Sequence, residues 1–129
     1  MEYIVLSHLS GSKANQEERF PLNQFEEIII GRAASANVSF DDATESMVGR
    51  QHARITRNIA LPSLFFITDL DSRNGTFVNQ RRITGTSALK TGDVVQCGIG
   101  GPIFRFRFEP EIDQTAETVA SWPTIDGLE

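Results

Sequence analysis

The stretch Ile-Phe-Arg-Phe-Arg-Phe at residues 103–108 is the strongest indicator of the fold class. Successive side chains of an extended strand point to opposite faces of a sheet, so the three phenylalanines share one face and the two arginines the other. One apolar and one charged face are typical of a sheet with one side on a core and the other in water. This stretch therefore predicts a half-buried β-strand.

Further segments with strand character are spread over the chain and separated by short polar turns. They are residues 2–9, 19–22, 26–30, 38–40, 52–58, 64–70, 76–79 and 93–97. No segment keeps the 3.6-residue apolar period of a helix. About ten or eleven short strands predict an all-β fold, an antiparallel β-sandwich. Nine phenylalanines are available to fill the core between its two sheets.

The charge is distributed unevenly. The 129 residues carry 12 Lys and Arg and 17 Asp and Glu, a net charge of −5, which argues against general nucleic-acid binding. Six of the carboxylates lie in residues 109–129, which hold no Lys or Arg. We therefore predict a folded domain over residues 1–109 and an acidic, disordered tail over residues 110–129.

The composition also argues against several classes of protein. No apolar run is long enough to cross a membrane, and Met1 is not followed by a secretory signal. The single cysteine, Cys97, permits no internal disulfide, and two histidines leave no metal cluster. Neither a phosphate-binding loop before a helix nor a nucleophile elbow is present. The prediction is a cytoplasmic, non-enzymatic protein without catalytic residues, metal or cofactor.

Three separated motifs carry the functional signal. They are Gly31-Arg32, residues 49–55 (Gly-Arg-Gln-His-Ala-Arg-Ile), and residues 69–79 (Asp-Leu-Asp-Ser-Arg-Asn-Gly-Thr-Phe-Val-Asn). Each is weak alone, but in this order on a predicted sandwich they resemble the forkhead-associated (FHA) domain. The resemblance covers residues 2–109. It implies a phosphothreonine-binding module that mediates protein–protein interaction in Ser/Thr kinase signalling.

The resemblance assigns ligand contacts to five residues. Arg32 and Arg50 match arginines that contact the phosphate, a group suited to charge-assisted hydrogen bonds. Asn74 matches the asparagine whose amide clamps the ligand backbone. Arg73 is a candidate contact to the phosphate or to flanking acidic residues, and Gly49 replaces a family serine whose hydroxyl donates to the phosphate. The alternative is a solvated surface for the arginines and plain turn chemistry for Asn74.

Four further residues match positions with a structural role. Gly31 is expected to let the backbone turn sharply, so that the next side chain points at the loops. His52 is expected to tie the binding loops together by hydrogen bonds. Gly75 and Asn79 are expected to be architectural.

Gly49 is the main departure from the family pattern. A hydrogen bond to a charged group contributes about 1.5–3 kcal/mol, so its loss weakens binding roughly ten- to 150-fold unless the Gly49 N–H or a water compensates. The alternative function is therefore an FHA-fold scaffold that binds its partner independently of phosphate. The loop 41–49 also brings Asp41, Asp42 and Glu45 close to the site, but the sequence does not say whether these carboxylates face it.

The predicted partner is a phosphothreonine-containing protein or peptide, with no nucleic acid and no membrane. A second candidate is the tail of the chain itself, phosphorylated on a threonine and bound in cis or in trans. In the family the termini lie opposite the binding loops. Thr115 can extend at most about 25 Å from Phe108, which is marginal for a chain that must curve around the domain. Thr118 and Thr124 reach further. The alternative is that the tail is only a solubilising segment.

Overall fold

A computed structural model describes residues 1–110 as eleven β-strands with no helix in that range. The strands are β1 (Tyr3–His8), β2 (Glu17–Pro21), β3 (Glu27–Gly31), β4 (Val38–Ser39), β5 (Ala53–Arg57), β6 (Phe65–Asp69), β7 (Thr76–Val78), β8 (Arg81–Arg82), β9 (Thr86–Leu89), β10 (Val94–Cys97) and β11 (Ile103–Glu109). No membrane-spanning helix is found in this part of the chain. The predicted tail with its three threonines lies outside the described residues, except for Pro110.

The strands form two sheets. One has the order β2-β1-β11-β10-β7-β8 and the other β4-β3-β5-β6-β9. All pairings that join these described strands are antiparallel except that of β3 with β4, which run parallel at Ile30–Val38 and Gly31–Ser39. The predicted all-β sandwich is confirmed, and this short parallel pair is a feature that the sequence pattern did not predict.

The stretch 103–108 forms most of β11 in the six-stranded sheet. Phe104 and Phe106 are fully buried, whereas Arg105 is exposed on the outer face. Phe65 of the opposite sheet packs against the rings of Phe106 and Phe108, with centroids 5.5 and 4.9 Å away. Burying an apolar side chain of this size contributes about 1.5–3 kcal/mol. The alternation of this stretch therefore joins the two sheets through one core.

The strand pairing defines two poles of the sandwich. At one pole Tyr3 pairs with Glu109, and the Arg57 guanidinium donates to the Glu2 carboxylate at 2.9 Å. At the other pole lie the loops 32–37, 40–52 and 70–75, which follow β3, β4 and β6. We call this end the loop pole. It contains part of each of the three motifs, namely Arg32, residues 49–52 and residues 70–75, which are far apart in the sequence.

Candidate functional site

Arg32 and Asn74 both donate hydrogen bonds to the loop 40–52 at the loop pole. The Nε of Arg32 donates to the carbonyl of Val48 at 2.5 Å, and the Nδ2 of Asn74 donates to the carbonyl of Met47 at 3.1 Å. The two acceptors belong to consecutive residues. A guanidinium and a carboxamide that come from positions 32 and 74 therefore meet on one short segment of loop 40–52.

His52 joins two of the loops from inside the protein. Its side chain is fully buried, its Nδ1 accepts the Gly49 N–H at 2.9 Å, and its Nε2 lies 2.8 Å from the Gly75 carbonyl. This pattern requires a neutral ring with its proton on Nε2. Burial lowers the pKa of His52, outweighing the opposing effects of the Gly75 carbonyl and of Asp69. The imidazole thus fixes the spacing of the two loops.

Arg50 reaches the same place as Arg32 through a shared acid. The Oδ1 of Asp42 lies 2.5 Å from Nη1 of Arg32 and 3.6 Å from Nη1 of Arg50. The Arg50 side chain is 64% exposed and the Asp42 side chain 66%. Both guanidinium groups therefore lie around one carboxylate oxygen, with Arg50 largely exposed to solvent and Arg32, at 24% exposure, mostly covered.

The other two acids of the loop have different partners. Asp41 accepts hydrogen bonds from the Ala43 N–H and the Thr44 hydroxyl, which hold the pKa of its carboxyl below the ordinary value. Glu45 accepts the Ser12 N–H. Asp42 is therefore the member of this trio whose carboxylate contacts the arginines.

The Gly49 N–H is already occupied by His52. It therefore does not supply the phosphate contact that the missing serine hydroxyl would make, and the compensation considered from the sequence is wrong in this respect. A Cβ at this position would meet no atom outside residues 48–50 closer than 3.6 Å. The backbone at position 49 thus has room for a side chain that the sequence does not provide.

Gly31 has a different role from the expected one. Its φ is not in the positive range, so a sharp turn is not what requires glycine here. A Cβ would instead lie 2.1 Å from the carbonyl oxygen of Arg50. The missing side chain lets β3 pass close to the 49–50 backbone, where the Arg32 N–H donates to the Gly49 carbonyl at 3.0 Å.

Hydrogen bonds to the Asp69 carboxylate stabilise the turn that carries Asn74. The Asp69 carboxylate accepts hydrogen bonds from the hydroxyls of Ser72 and Thr76 at 2.5 and 2.7 Å. Burial acts to raise the pKa of Asp69, but these hydrogen bonds outweigh it and lower the pKa. Gly75 follows with a φ of +87°, which glycine adopts without strain. The geometry of the 72–75 turn is thus set by side chains of the motif itself.

Asn79 lies away from the loop pole, after the far end of β7. Its φ is +51°, its Nδ2 donates to Asp93 at 3.0 Å, and its Oδ1 accepts the Val94 N–H at 3.0 Å. Asn79 therefore connects the β7–β8 turn to the start of β10. Asn79 thus stabilises the sheet and contacts none of the predicted ligand-binding residues.

Two further arginines, Arg73 and Arg82, lie near the 72–75 turn and have no ion-pair partner within residues 1–110. Arg73 is exposed and has no ion pair or hydrogen bond within residues 1–110. Arg82 is likewise unpaired there, and its Nε would lie 2.8 Å from a Cβ on Gly75. Arg82 was not predicted from the sequence as a site residue. It reaches the turn because Arg82 in β8 pairs with Phe77 in β7.

No other chemistry is evident in the described part of the chain. Residues 1–110 hold no group of His, Cys, Asp and Glu side chains arranged to bind a metal. Cys97 is fully buried, which raises the pKa of its thiol to about 12. A thiol with so high a pKa is unreactive at neutral pH.

Comparison with known proteins supports this picture. Residues 28–98, more than half of the chain, match the FHA domain family. A solved structure from a structural and functional analysis of phosphothreonine-dependent FHA domain interactions is 25% identical, with a TM-score of 0.67 over 84% of this chain and 99% of that chain. The FHA domain of the CT664 protein of Chlamydia trachomatis is 26% identical, with a TM-score of 0.69 over 84% and 99%.

A third similar structure is a complex. It is the FhaA FHA domain with the intracellular domain of Rv3910, 26% identical to this chain, with a TM-score of 0.63 over 81% of this chain and 99% of that one. The match of residues 28–98 confirms the resemblance inferred from the three motifs. The chain belongs to the FHA domain family, whose members are phosphothreonine-binding modules for protein–protein interaction.

Proposed function

We propose that this chain binds phosphothreonine in a partner protein through the loop pole and performs no catalysis. Arg32 and Arg50 hold the phosphate, and Asn74 binds the ligand backbone beside it. Arg73 contacts the phosphate or a neighbouring acidic residue. The observation that carries this assignment is the meeting of Arg32 and Asn74 on the consecutive carbonyls of residues 47 and 48.

The chemistry of the arginines supports a phosphate ligand. A phosphothreonine carries about −1.5 to −2 charges and three strong acceptor oxygens. Guanidinium groups present several N–H donors in a fixed plane that suits such an anion. Arg32 and Arg50 come together although they are 18 positions apart in the sequence, and both retain solvent-exposed surface for a ligand.

The biological setting is part of the proposal. A phosphothreonine ligand requires a Ser/Thr kinase upstream, and the chain is proposed to act in the cytoplasm without a cofactor. The phosphorylated tail is a second candidate ligand, through Thr118 or Thr124. Glu109 pairs with Tyr3 at the pole remote from the loops. A tail bound in cis must therefore travel the length of the sandwich, and binding in trans to a second copy avoids that path.

A phosphate-independent scaffold is the second candidate function. It is favoured by Gly49, which has no hydroxyl and whose N–H is used by His52. The fold and the exposed loops would then bind a partner by shape and charge. In that case the arginines contribute to binding whether or not the partner is phosphorylated.

A titration of phosphothreonine peptides by fluorescence or NMR separates the two functions. We expect saturable binding that is lost on dephosphorylation and is weakened roughly ten- to 150-fold by Arg32→Ala. Arg50→Ala and Asn74→Ala should also weaken it. Arg105→Ala, on the outer face of the six-stranded sheet, is the matched control and should leave binding unchanged. Equal binding of phosphorylated and unphosphorylated peptides would support the scaffold instead.

The same assay tests the tail. Peptides that cover residues 110–129, phosphorylated singly at Thr115, Thr118 or Thr124, should bind if the tail is a ligand. No binding by any of the three would remove the tail from the candidate partners.

A further inference from the structure

The proposed phosphate pocket of the free domain already contains an anion that belongs to the chain. We propose that the Asp42 carboxylate occupies the position of the phosphate and competes with the ligand, so that Asp42 lowers the affinity of the site for every anion and sets how strongly a ligand must interact in order to bind. This inference rests on the proposed function of the loop pole. It assigns to Asp42 an autoinhibitory role that differs from the binding roles of Arg32 and Arg50.

The first argument is where the carboxylate lies. A single oxygen, Oδ1 of Asp42, is 2.5 Å from the Arg32 guanidinium and 3.6 Å from the Arg50 guanidinium. A phosphate oxygen held by both arginines would have to occupy the same space. The ligand therefore binds only after Asp42 has moved away from Arg32.

The second argument is that Asp42 is free to leave. Its side chain is 66% exposed, while the residues around it are held independently. The Asp41 carboxylate accepts the Ala43 N–H at 3.0 Å, and the Glu45 N–H donates to the Asp41 carbonyl at 3.0 Å. A change of the Asp42 rotamer therefore frees the Nη1 atoms of Arg32 and Arg50 without remodelling the loop, while the Nε of Arg32 stays on the Val48 carbonyl.

The third argument concerns the charge of the incoming ligand. An aspartate or glutamate side chain carries the same single charge as Asp42 and must also lose freedom when it binds. Its exchange for Asp42 therefore brings little gain. A phosphothreonine carries up to two charges and an additional acceptor oxygen, and it can replace Asp42 with a net gain. The competing contact lowers the affinity of both kinds of ligand by the same factor, so a ligand that binds the arginines weakly is left without measurable binding while phosphothreonine still binds.

The test uses Asp42→Asn, which keeps the shape of the side chain and removes its charge. Three peptides of one sequence are titrated, with phosphothreonine, glutamate or unmodified threonine at the central position. We expect Asp42→Asn to bind the phosphothreonine peptide about two- to fivefold more tightly, since one exposed ion pair no longer competes. Binding of the glutamate peptide should improve by the same factor, since both ligands displace the same internal contact.

Glu26→Gln is the matched control. It removes the same charge from an exposed side chain next to the start of β3, at the pole remote from the loops. It should change neither affinity by more than the error of the titration. If Glu26→Gln tightens binding as much as Asp42→Asn does, the effect is one of net charge and the inference is overturned.

The outcomes separate the inference from the proposed function. If Arg32→Ala abolishes phosphopeptide binding but Asp42→Asn leaves the affinities for both peptides unchanged, the role of Asp42 is wrong and the proposed function stands. If neither the wild type nor Asp42→Asn binds any phosphopeptide, both are wrong. A direct readout in the free protein is given by the NMR resonances of the Arg32 Nη–Hη groups, because Nη1 donates to Asp42. They should shift in Asp42→Asn and not in Glu26→Gln, and unchanged resonances would refute the contact.

Discussion

Restoring the hydroxyl that Gly49 lacks is the most direct test of how the loop is aligned with the family motif. The structure allows the change, because a Cβ at Gly49 would meet no atom outside residues 48–50 closer than 3.6 Å and its φ is not positive. The Gly49 N–H keeps its bond to His52. A serine at this position therefore adds a donor without removing an existing contact.

The expected gain follows from the strength of one hydrogen bond to a charged acceptor. Such a bond contributes about 1.5–3 kcal/mol, and about 1.4 kcal/mol corresponds to a tenfold change in affinity. The site is open to water, as the 64% exposure of the Arg50 side chain shows, which places the effect at the lower end of this range. We therefore expect Gly49→Ser to tighten phosphothreonine binding about tenfold.

Isothermal calorimetry with one phosphothreonine peptide measures this effect. The control is Gly49→Ala, which adds the Cβ and restricts the unfolded chain in the same way but brings no hydroxyl. We expect the alanine variant to bind like the wild type. Equal affinities for the serine and alanine variants would show that position 49 does not face the phosphate, and the alignment of the loop would be refuted.

Three further perturbations test other parts of the site. Gly31→Ala places a Cβ 2.1 Å from the carbonyl oxygen of Arg50. Urea denaturation should therefore show a loss of about 1–3 kcal/mol in the free energy of unfolding. Gly49→Ala, which creates no such clash, is the control. Arg82→Ala should weaken binding of phosphopeptides with acidic flanking residues, while Arg81→Ala should not; equal effects would refute a contact at Arg82. Because the pKa of His52 is lowered from 6.5 in the folded state, the unfolded chain binds the proton first, and stability should fall as the pH drops below 6.5. Thermal unfolding measured from about pH 5 to about pH 7.5 should show this loss of stability in the wild type, and His52→Gln should lack it.

Regular alternation made the core strands predictable. The phenylalanines of residues 103–108 occupy the faces that period-two reasoning assigns to them, and the segments around 28 and 67 likewise form buried strands. The strands β8 and β9 were not predicted. Arg81 and Arg82 form a two-residue exposed strand with no alternation to detect, and only pairing with β7 makes it extended. The parallel β3–β4 contact likewise depends on tertiary packing.

The grouping of the candidate residues was more predictable than their contacts. The family resemblance predicted that Arg32, Arg50 and Asn74 lie near one another, and all three lie at the loop pole, while their binding roles remain predictions. The sequence could not predict the orientation of Asp42, because three acids within five residues of one loop give no signal about which one faces the arginines. It also could not predict why residue 31 is glycine, because a Cβ there would clash with the carbonyl oxygen of Arg50, a contact that only the folded structure creates.

The pairing of Tyr3 with Glu109 also has a practical meaning. Both polypeptide ends of the sandwich emerge next to each other, on the side that faces away from Arg32 and Asn74. A tether attached at either end would hold the protein on a sensor chip with its recognition loops directed into the flow. The same arrangement would allow the sandwich to be spliced into an exposed hairpin of an unrelated carrier protein, with the host chain entering and leaving at nearly the same point.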